Sequence, residues 1–227
     1  MFMSNTAALW YFESVNLFHI LCPHKVKRMG EMHEFINYKR NQFIYMPDES
    51  ATHIYMVVKG KVRIGHYLED GEEVLSAILT TGEIFGELAM AGEERRKDFA
   101  QAMEETLICP LTIGELQMLM YENKDLSFKI LKLIGLRIMK LERKLELLVF
   151  KDARTRIIEF LKDMAEWKGK KVGFETLIQT SLTHKDIASL TGTSRQTVTT
   201  ILNDMKERNL INFNRKQILI RDLEKLC

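Results

Sequence analysis

The sequence predicts an α+β protein with a β domain, one long helix and a C-terminal winged helix-turn-helix. Three observations carry that prediction. Between Phe35 and Pro110 apolar residues alternate with period two between evenly spaced turn formers; residues 124–149 keep a helical period without a proline; and Ser181 to Gln217 reads as two capped helices followed by a hairpin. The boundaries drawn from these changes of period are 1–123, 124–150 and 151–227.

Residues 5–34 read as helical, with Leu9, Phe12, Leu17, Phe18, Ile20, Leu21 and Val26 as apolar positions and Pro23 dividing two short helices, expected to lie over the β domain. The strand-like runs are Phe35 to Tyr38, Gln42 to Tyr45, Ile54 to Val58, Val62 to Tyr67, Glu73 to Leu79, Phe99 to Met103 and Thr106 to Pro110. Pro47-Asp48, Lys59-Gly60-Lys61, Glu69-Asp70-Gly71 and Thr81-Gly82 punctuate them, as in an antiparallel sandwich or roll of about seven or eight strands. Gly60 and Gly71 suit tight turns that need positive φ.

Gly82 to Ala89 departs from a plain hairpin: two glycines close a strand and a short helix, Glu87 to Ala91, begins. Glycine lets a backbone approach a ligand, and helix-start amides can hold an anion, so Gly86, Glu87, Leu88 and Ala89 form a candidate effector cradle. A tight corner would use the same glycines. Arg96, in the charged run Glu93 to Lys97, is the cation that an anion there would need, unless it is simply a solvated surface arginine.

A short helix near Ile113 to Tyr121 precedes the long one. Leu131, Ile134, Ile138, Leu141, Leu145 and Leu148 recur at steps of three and four, the seam of a two-stranded coiled coil, while Ile130, Leu133 and Met139 give a second stripe. One stripe can face the β domain and the other a second copy of the chain, so a homodimer is expected. A single helix buried on both sides would show the same pattern. Phe150 to Ala153 breaks the seam as a hinge, Arg154 to Glu166 is amphipathic, and Trp167 to Val172 reads as an exposed, lysine-rich loop.

Thr183 can cap the first helix of the reading head, with Ile187 and Leu190 on one face and Gly192 providing a left-handed exit. Ser194 can cap the second, whose Val198, Ile201, Leu202 and Met205 would pack back onto the first. Arg195, Gln196, Thr197, Thr199 and Thr200 then point outward with side chains able to reach base edges; His184 and Lys185 suit phosphates, and Arg215 and Lys216 fill the polar turn of the wing. Arg195 matches guanine O6 and N7 and Gln196 adenine N6 and N7, while Thr200 can offer a hydroxyl or a methyl to thymine. A helical hairpin with a solvated face is the alternative for the two helices alone; the wing pattern after them favours nucleic acid.

Charge agrees with that division. Residues 151–227 hold 15 Lys and Arg against 10 Asp and Glu, whereas residues 1–150 hold 18 against 21, so the excess of positive charge sits on the reading head. Cys22, Cys109 and Cys227 are too widely spaced for a disulfide framework or a metal motif, which fits a reducing compartment. Glu13 interrupts the apolar patch Leu9 to Phe12 and no basic region precedes it, so neither a signal peptide nor a membrane span is expected, and the expected location is cytoplasmic. His19, His24, His33, His53, His66 and His184 have no carboxylate or nucleophile at a spacing that marks a catalytic site, so an enzyme is not expected.

Val58-Lys59-Gly60-Lys61-Val62 with Gly71, Gly82 to Ala89, Phe150 to Ile157 and Thr193 to Val198 stand in an order that resembles the CRP/FNR family of bacterial transcription regulators over nearly the whole chain. The resemblance implies a cyclic-nucleotide-binding-type β-roll, a dimerisation helix and a winged helix-turn-helix, acting as a homodimer on near-palindromic double-stranded DNA. RNA polymerase is the further partner expected. Cyclic-AMP-binding members hold the phosphate with an Arg-Ser pair, where this chain has Arg96 and Lys97, and set Thr-Ser against the adenine, where it has Leu141 and Glu142. These departures argue against cyclic AMP. The family's iron-sulfur sensors need a cysteine cluster that Cys22 and Cys109 do not supply. The resulting expectation is a regulator whose roll senses a small anion; a ligand-independent regulator, whose roll is a scaffold or polymerase-contact surface, and a sensor whose output is protein association are the alternatives.

Overall fold

The computed structural model describes residues 35–180, 182–214 and 216–226; the N-terminal helices expected over 5–34 lie outside them. The strands of the β domain are β1 (Ile36–Tyr38), β2 (Phe43–Tyr45), β3 (His53–Lys59), β4 (Lys61–Tyr67), β5 (Glu73–Thr80), β6 (Ile84–Phe85), β7 (Phe99–Ala102) and β8 (Thr106–Thr112). They pair antiparallel in two four-stranded sheets, β1-β8-β3-β6 and β2-β7-β4-β5.

Alternation decides what each strand buries. Tyr38, Val57, Phe85 and Ile108 of the first sheet form one core with Ile44, Tyr45, Val62, Ile64, Leu79, Ala100 and Ala102 of the second. The neighbours that point to the opposite face, Ile54, Met56, Ile84, Cys109 and Leu111, bury against helices instead. Hence the first sheet is covered on both faces. The β3–β4 turn requires its glycine: Gly60 has φ 96°, and a Cβ there would stand 2.6 Å from Thr106 Oγ1 and 2.7 Å from the Glu105 carbonyl.

The covering helices are α1 (Ile113–Glu122) and α2 (Lys124–Phe150). A capping box starts α1, Thr112 Oγ1 accepting from the Glu115 N–H while the Glu115 carboxylate accepts from the Thr112 N–H. Leu116 of α1 and Leu126, Ile130 and Leu133 of α2 complete the second core. Burial of the three α2 side chains is worth about 5 to 9 kcal/mol of apolar transfer, enough to fix which face of α2 turns inward. Met139, expected on this inner stripe, is instead 64% exposed; Leu126, one turn before Ile130, holds the stripe at its other end.

After α2 come α3 (Ala153–Lys168), β9 (Gly169–Val172), β10 (Glu175–Gln179), α4 (His184–Thr191), α5 (Arg195–Glu207), β11 (Ile211–Phe213) and β12 (Gln217–Ile220). The strands form one sheet in the order β11-β12-β10-β9. Residues 169–172, expected as a loop, are therefore an edge strand, and β10 was not foreseen. The core here joins Ile157, Ile158, Phe160, Leu161 and Met164 of α3 to Ile187 and Leu190 of α4, Val198, Leu202 and Met205 of α5, and Ile178, Ile211, Ile218 and Ile220 of the sheet. The chain divides into two compact units, one ending at Ile138 and one continuing from Met139, so the division falls inside the unbroken helix α2.

Candidate functional site

In the reading head, local chemistry sets each helix end. Thr183 Oγ1 accepts from the Asp186 N–H at 3.1 Å, while the Asp186 carboxylate accepts from the Thr183 N–H at 2.8 Å, a capping box that starts α4. Gly192, at φ 64°, ends it, and Thr193 donates its N–H back to the Ala188 carbonyl. Ser194 Oγ accepts from the Thr197 N–H at 3.0 Å and starts α5. With Val198, Ile201, Leu202 and Met205 buried, Arg195, Gln196 and Thr200 are exposed on the outer face. Asn203 joins them and was not among the residues singled out from sequence; its position seven residues, or two turns, after Gln196 was the available signal.

Thr183, Lys185, Ser194 and Lys216 are exposed, and Thr197 is half-buried with its hydroxyl against that of Ser194. Thr199 turns toward α4 instead of outward. Its hydroxyl donates to the Arg195 carbonyl at 2.9 Å, so the contact with His184 Nδ1 at 2.8 Å assigns the ring proton to Nδ1, which donates to Thr199. The His184 ring packs against Phe213 of β11, centroid to centroid 5.7 Å, and burial followed by the Arg195 charge lowers its pKa. In the wing, Asn214 Oδ1 accepts from the Lys216 and Gln217 N–H groups, and the Lys216 carbonyl accepts from the Thr180 N–H, tying the wing turn to the segment that leads into α4. Arg215 lies outside the described residues.

In the β domain, the cradle segment is β6, Gly86 at φ 74° and a short 3-10 helix, Glu87–Ala91. Arg96 and Lys97 part here: Lys97 is exposed, whereas Arg96 is 2% exposed. The Arg96 guanidinium donates to the Gly86 carbonyl at 3.0 Å and to the His53 carbonyl, and lies 4.6 Å from the centre of the Tyr45 ring, with Glu93 at 3.7 Å. A Cβ at Gly86 would stand 3.0 and 3.1 Å from its two terminal nitrogens, so the glycine makes room for this arginine. Tyr45, Tyr55 and Phe85 pack together with centroids 5.2 to 6.1 Å apart, Tyr55 and Phe85 stacked and Tyr45 tilted against both. Burial, then the Asp98 carboxylate, push the Tyr45 hydroxyl pKa up; burial also raises the Asp98 pKa.

Sequence reasoning missed Arg137. It stands on α2, pairs with the Glu87 carboxylate and donates to the Ile84 carbonyl, so the cradle is held at Gly86 by Arg96 and on either side of Gly86 by a residue of the long helix. Glu87 is thereby committed to an internal ion pair, while Leu88 is exposed and Ala89 buried. Leu141 and Glu142, the positions discussed for adenine contact, are both exposed. Along α2, Leu131, Ile138, Leu141, Leu145 and Leu148 are exposed and Ile134 is half-buried against the second core. Among the described residues no group of His, Cys, Asp and Glu is arranged to hold a metal, and no helix is long and apolar enough to cross a membrane.

A capped helix-turn-helix with a wing, preceded by a β-roll and a long helix, defines a DNA-binding transcription regulator. The chain matches the cyclic nucleotide-binding domain family over residues 35–123 and the Crp-like helix-turn-helix domain family over residues 155–227. It is 31% identical to a CooA mutant from Carboxydothermus hydrogenoformans of known structure, with 95% of each chain covered and a TM-score of 0.80. The global nitrogen regulator of Nostoc sp. is 29% identical over 185 residues, 81% of this chain and 83% of that one. A CRP-like cAMP-activated global transcriptional regulator of Mycobacterium tuberculosis is 26% identical over 205 residues, 90% of this chain and 92% of that one. The chain belongs to the CRP/FNR family of transcription regulators.

Proposed function

We propose that this regulator works as a homodimer joined along α2, reads inverted half-sites about one helical turn apart with the outer face of α5, and is tuned by a small molecule taken up beside the Gly82–Ala91 segment. The observation that carries the proposal is the exposed stripe Leu131, Ile138, Leu141 and Leu145, on a helix whose N-terminal part commits Leu126, Ile130 and Leu133 to the β-domain core. Arg195 and Gln196 are the base readers, Thr200 the thymine contact, and Thr183, His184, Lys185, Arg215 and Lys216 the phosphate side, with Ser194 and Thr197 holding the helix start. Selection of bound sequences from random duplex DNA tests this; the expected product is an inverted repeat with a guanine in each half, and no enriched motif refutes it.

The effector is an anion in this reading, with Arg96 as its principal countercharge and Lys97 at the rim. To meet it, Arg96 has to release the Gly86 and His53 carbonyls, and because Arg137 holds the same segment from α2, occupancy is felt by the dimer helix. Cyclic AMP fits poorly, since Leu141 and Glu142 replace the hydrogen-bonding pair. A second reading is supported by the same arginine: Arg96 already has internal partners, as it would in a roll that is only a scaffold or a contact surface for RNA polymerase. Thermal denaturation with a panel of nucleotides and organic acids separates the two, because a ligand at a hundredfold excess over its Kd adds about 2.7 kcal/mol of stability.

A further inference from the structure

Arg156 stands in the first turn of α3, where the helix dipole disfavours a cation, beside the N-cap Asp152, whose carboxylate pKa it helps to lower. Each of its three guanidinium nitrogens donates to a backbone carbonyl. Nε donates to the Thr191 carbonyl at 2.8 Å, Nη2 to the Gly192 carbonyl at 2.9 Å and Nη1 to the Lys151 carbonyl at 2.7 Å. Thr191 and Gly192 close α4 at the turn of the reading head; Lys151 follows the last residue of α2 and donates its own N–H to the Leu147 carbonyl. One planar cation therefore meets the carbonyl ends of two helices, the ends whose partial negative charge suits it.

A second contact reaches the same turn. A Cβ at Gly192 would stand 2.5 Å from Leu148 Cδ2, so the end of α2 lies directly against the turn between α4 and α5. Arg154 adds a tie from α3 to the recognition helix, its Nη1 2.6 Å from Asp204 Oδ2. Only Lys151 and Asp152 separate α2 from α3, and their dihedral angles would leave the head free to swing if nothing crossed the joint.

We infer that Arg156 is a positioning residue that fixes the reading head against the end of α2 and so sets the separation of half-sites the protein accepts. The inference rests on the homodimeric reading above. In a two-fold dimer joined along α2, the distance and angle between the two α5 helices follow from how each head is held at its α2 end. A guanidinium fork holds three acceptors in one plane; a lysine, as a point donor, cannot.

The test uses the full chain, its Arg156→Lys and Arg156→Gln variants, and duplexes that carry the selected half-site as an inverted repeat at spacings changed one base pair at a time, with a single half-site duplex as reference. Anisotropy titrations of the unaltered protein should favour one spacing over its neighbours by about tenfold or more, Arg156→Gln should flatten this to about twofold, and Arg156→Lys should fall between, all with single half-site affinity held within about threefold. A residue that merely stabilised the head would weaken every duplex together and leave the spacing profile unchanged; that result overturns the inference. If Arg156→Gln fails to melt cooperatively, Arg156→Lys decides, and the unaltered profile in that variant refutes it. An unaltered protein with no spacing preference would refute the homodimeric reading and the inference with it, whereas a sharp preference kept by both variants refutes the inference alone.

Discussion

Replacing Leu141 with lysine should turn the dimer into a monomer. Leu141 is 66% exposed within one chain, and complete burial of a leucine is worth about 1.5 to 3 kcal/mol, so covering the exposed part contributes about 1 to 2 kcal/mol per copy. The two-fold seam brings both copies together, so the substitution removes about 2 to 4 kcal/mol per dimer, a rise in Kd of about 30-fold to several-hundred-fold. Two ammonium groups facing each other at a coiled-coil position push the figure higher. Sedimentation velocity over a concentration series reads the dissociation constant directly, and circular dichroism melts show that the monomers remain folded. A folded Leu141→Lys protein that dimerises at the same concentration as the parent would show that the interface is not on this stripe.

Arg195→Ala should cost about 1 to 3 kcal/mol on the selected site and relax its guanine preference, while Lys185→Ala should weaken all duplexes alike and lower the salt slope by about one; selection and salt titrations check both. Gly86→Ala puts a side chain at φ 74° and crowds the Arg96 guanidinium, so urea denaturation should show a loss of about 1 to 3 kcal/mol, and unchanged stability would mean that the arginine is not held as described. His184 has a folded pKa below its ordinary 6.5, so the unfolded chain binds the extra proton first and stability falls as pH drops below about 6.5. His184→Gln should remove that part of the pH dependence in melts compared at about pH 7.5 and about pH 5.5.

The reading head was legible because its determinants are local. Thr183, Gly192 and Ser194 act on the backbone within four residues of themselves, and the turn chemistry survives whatever packs around it. The long helix was legible as a helix but only partly as a pair of faces: periodicity placed Ile130 and Leu133 together, and nothing in it showed that the β domain ends before Met139. Residues 169–172 defeated the reading because the composition is poor for a strand. Lys170 and Lys171 lie on an edge strand exposed along most of its length, and Gly169 tolerates a neighbour, the Ala165 carbonyl, that would be 2.1 Å from any Cβ. In the cradle, Arg95 and Arg96 are adjacent and chemically alike, yet one is exposed and the other buried under Gly86. Long-range packing separates them, and it is not visible in a run of charges. Arg137 was illegible for the related reason that its partners, Glu87 and Ile84, lie on a distant element.

The boundary inside α2 also constrains how this chain can change length. Because Ile138 and Met139 belong to different compact units yet sit in the same unbroken helix, a residue inserted between them would rotate everything beyond by about 100° relative to everything before. Leu141, Leu145 and Leu148 would leave the line drawn by Leu131 and Ile138, and every later residue would follow them around the axis. Seven inserted residues, two full turns, would nearly restore the phase. Grafting the head of a relative onto this roll therefore succeeds or fails on helical phase at the junction, and net changes in the length of α2 keep that phase about once per heptad.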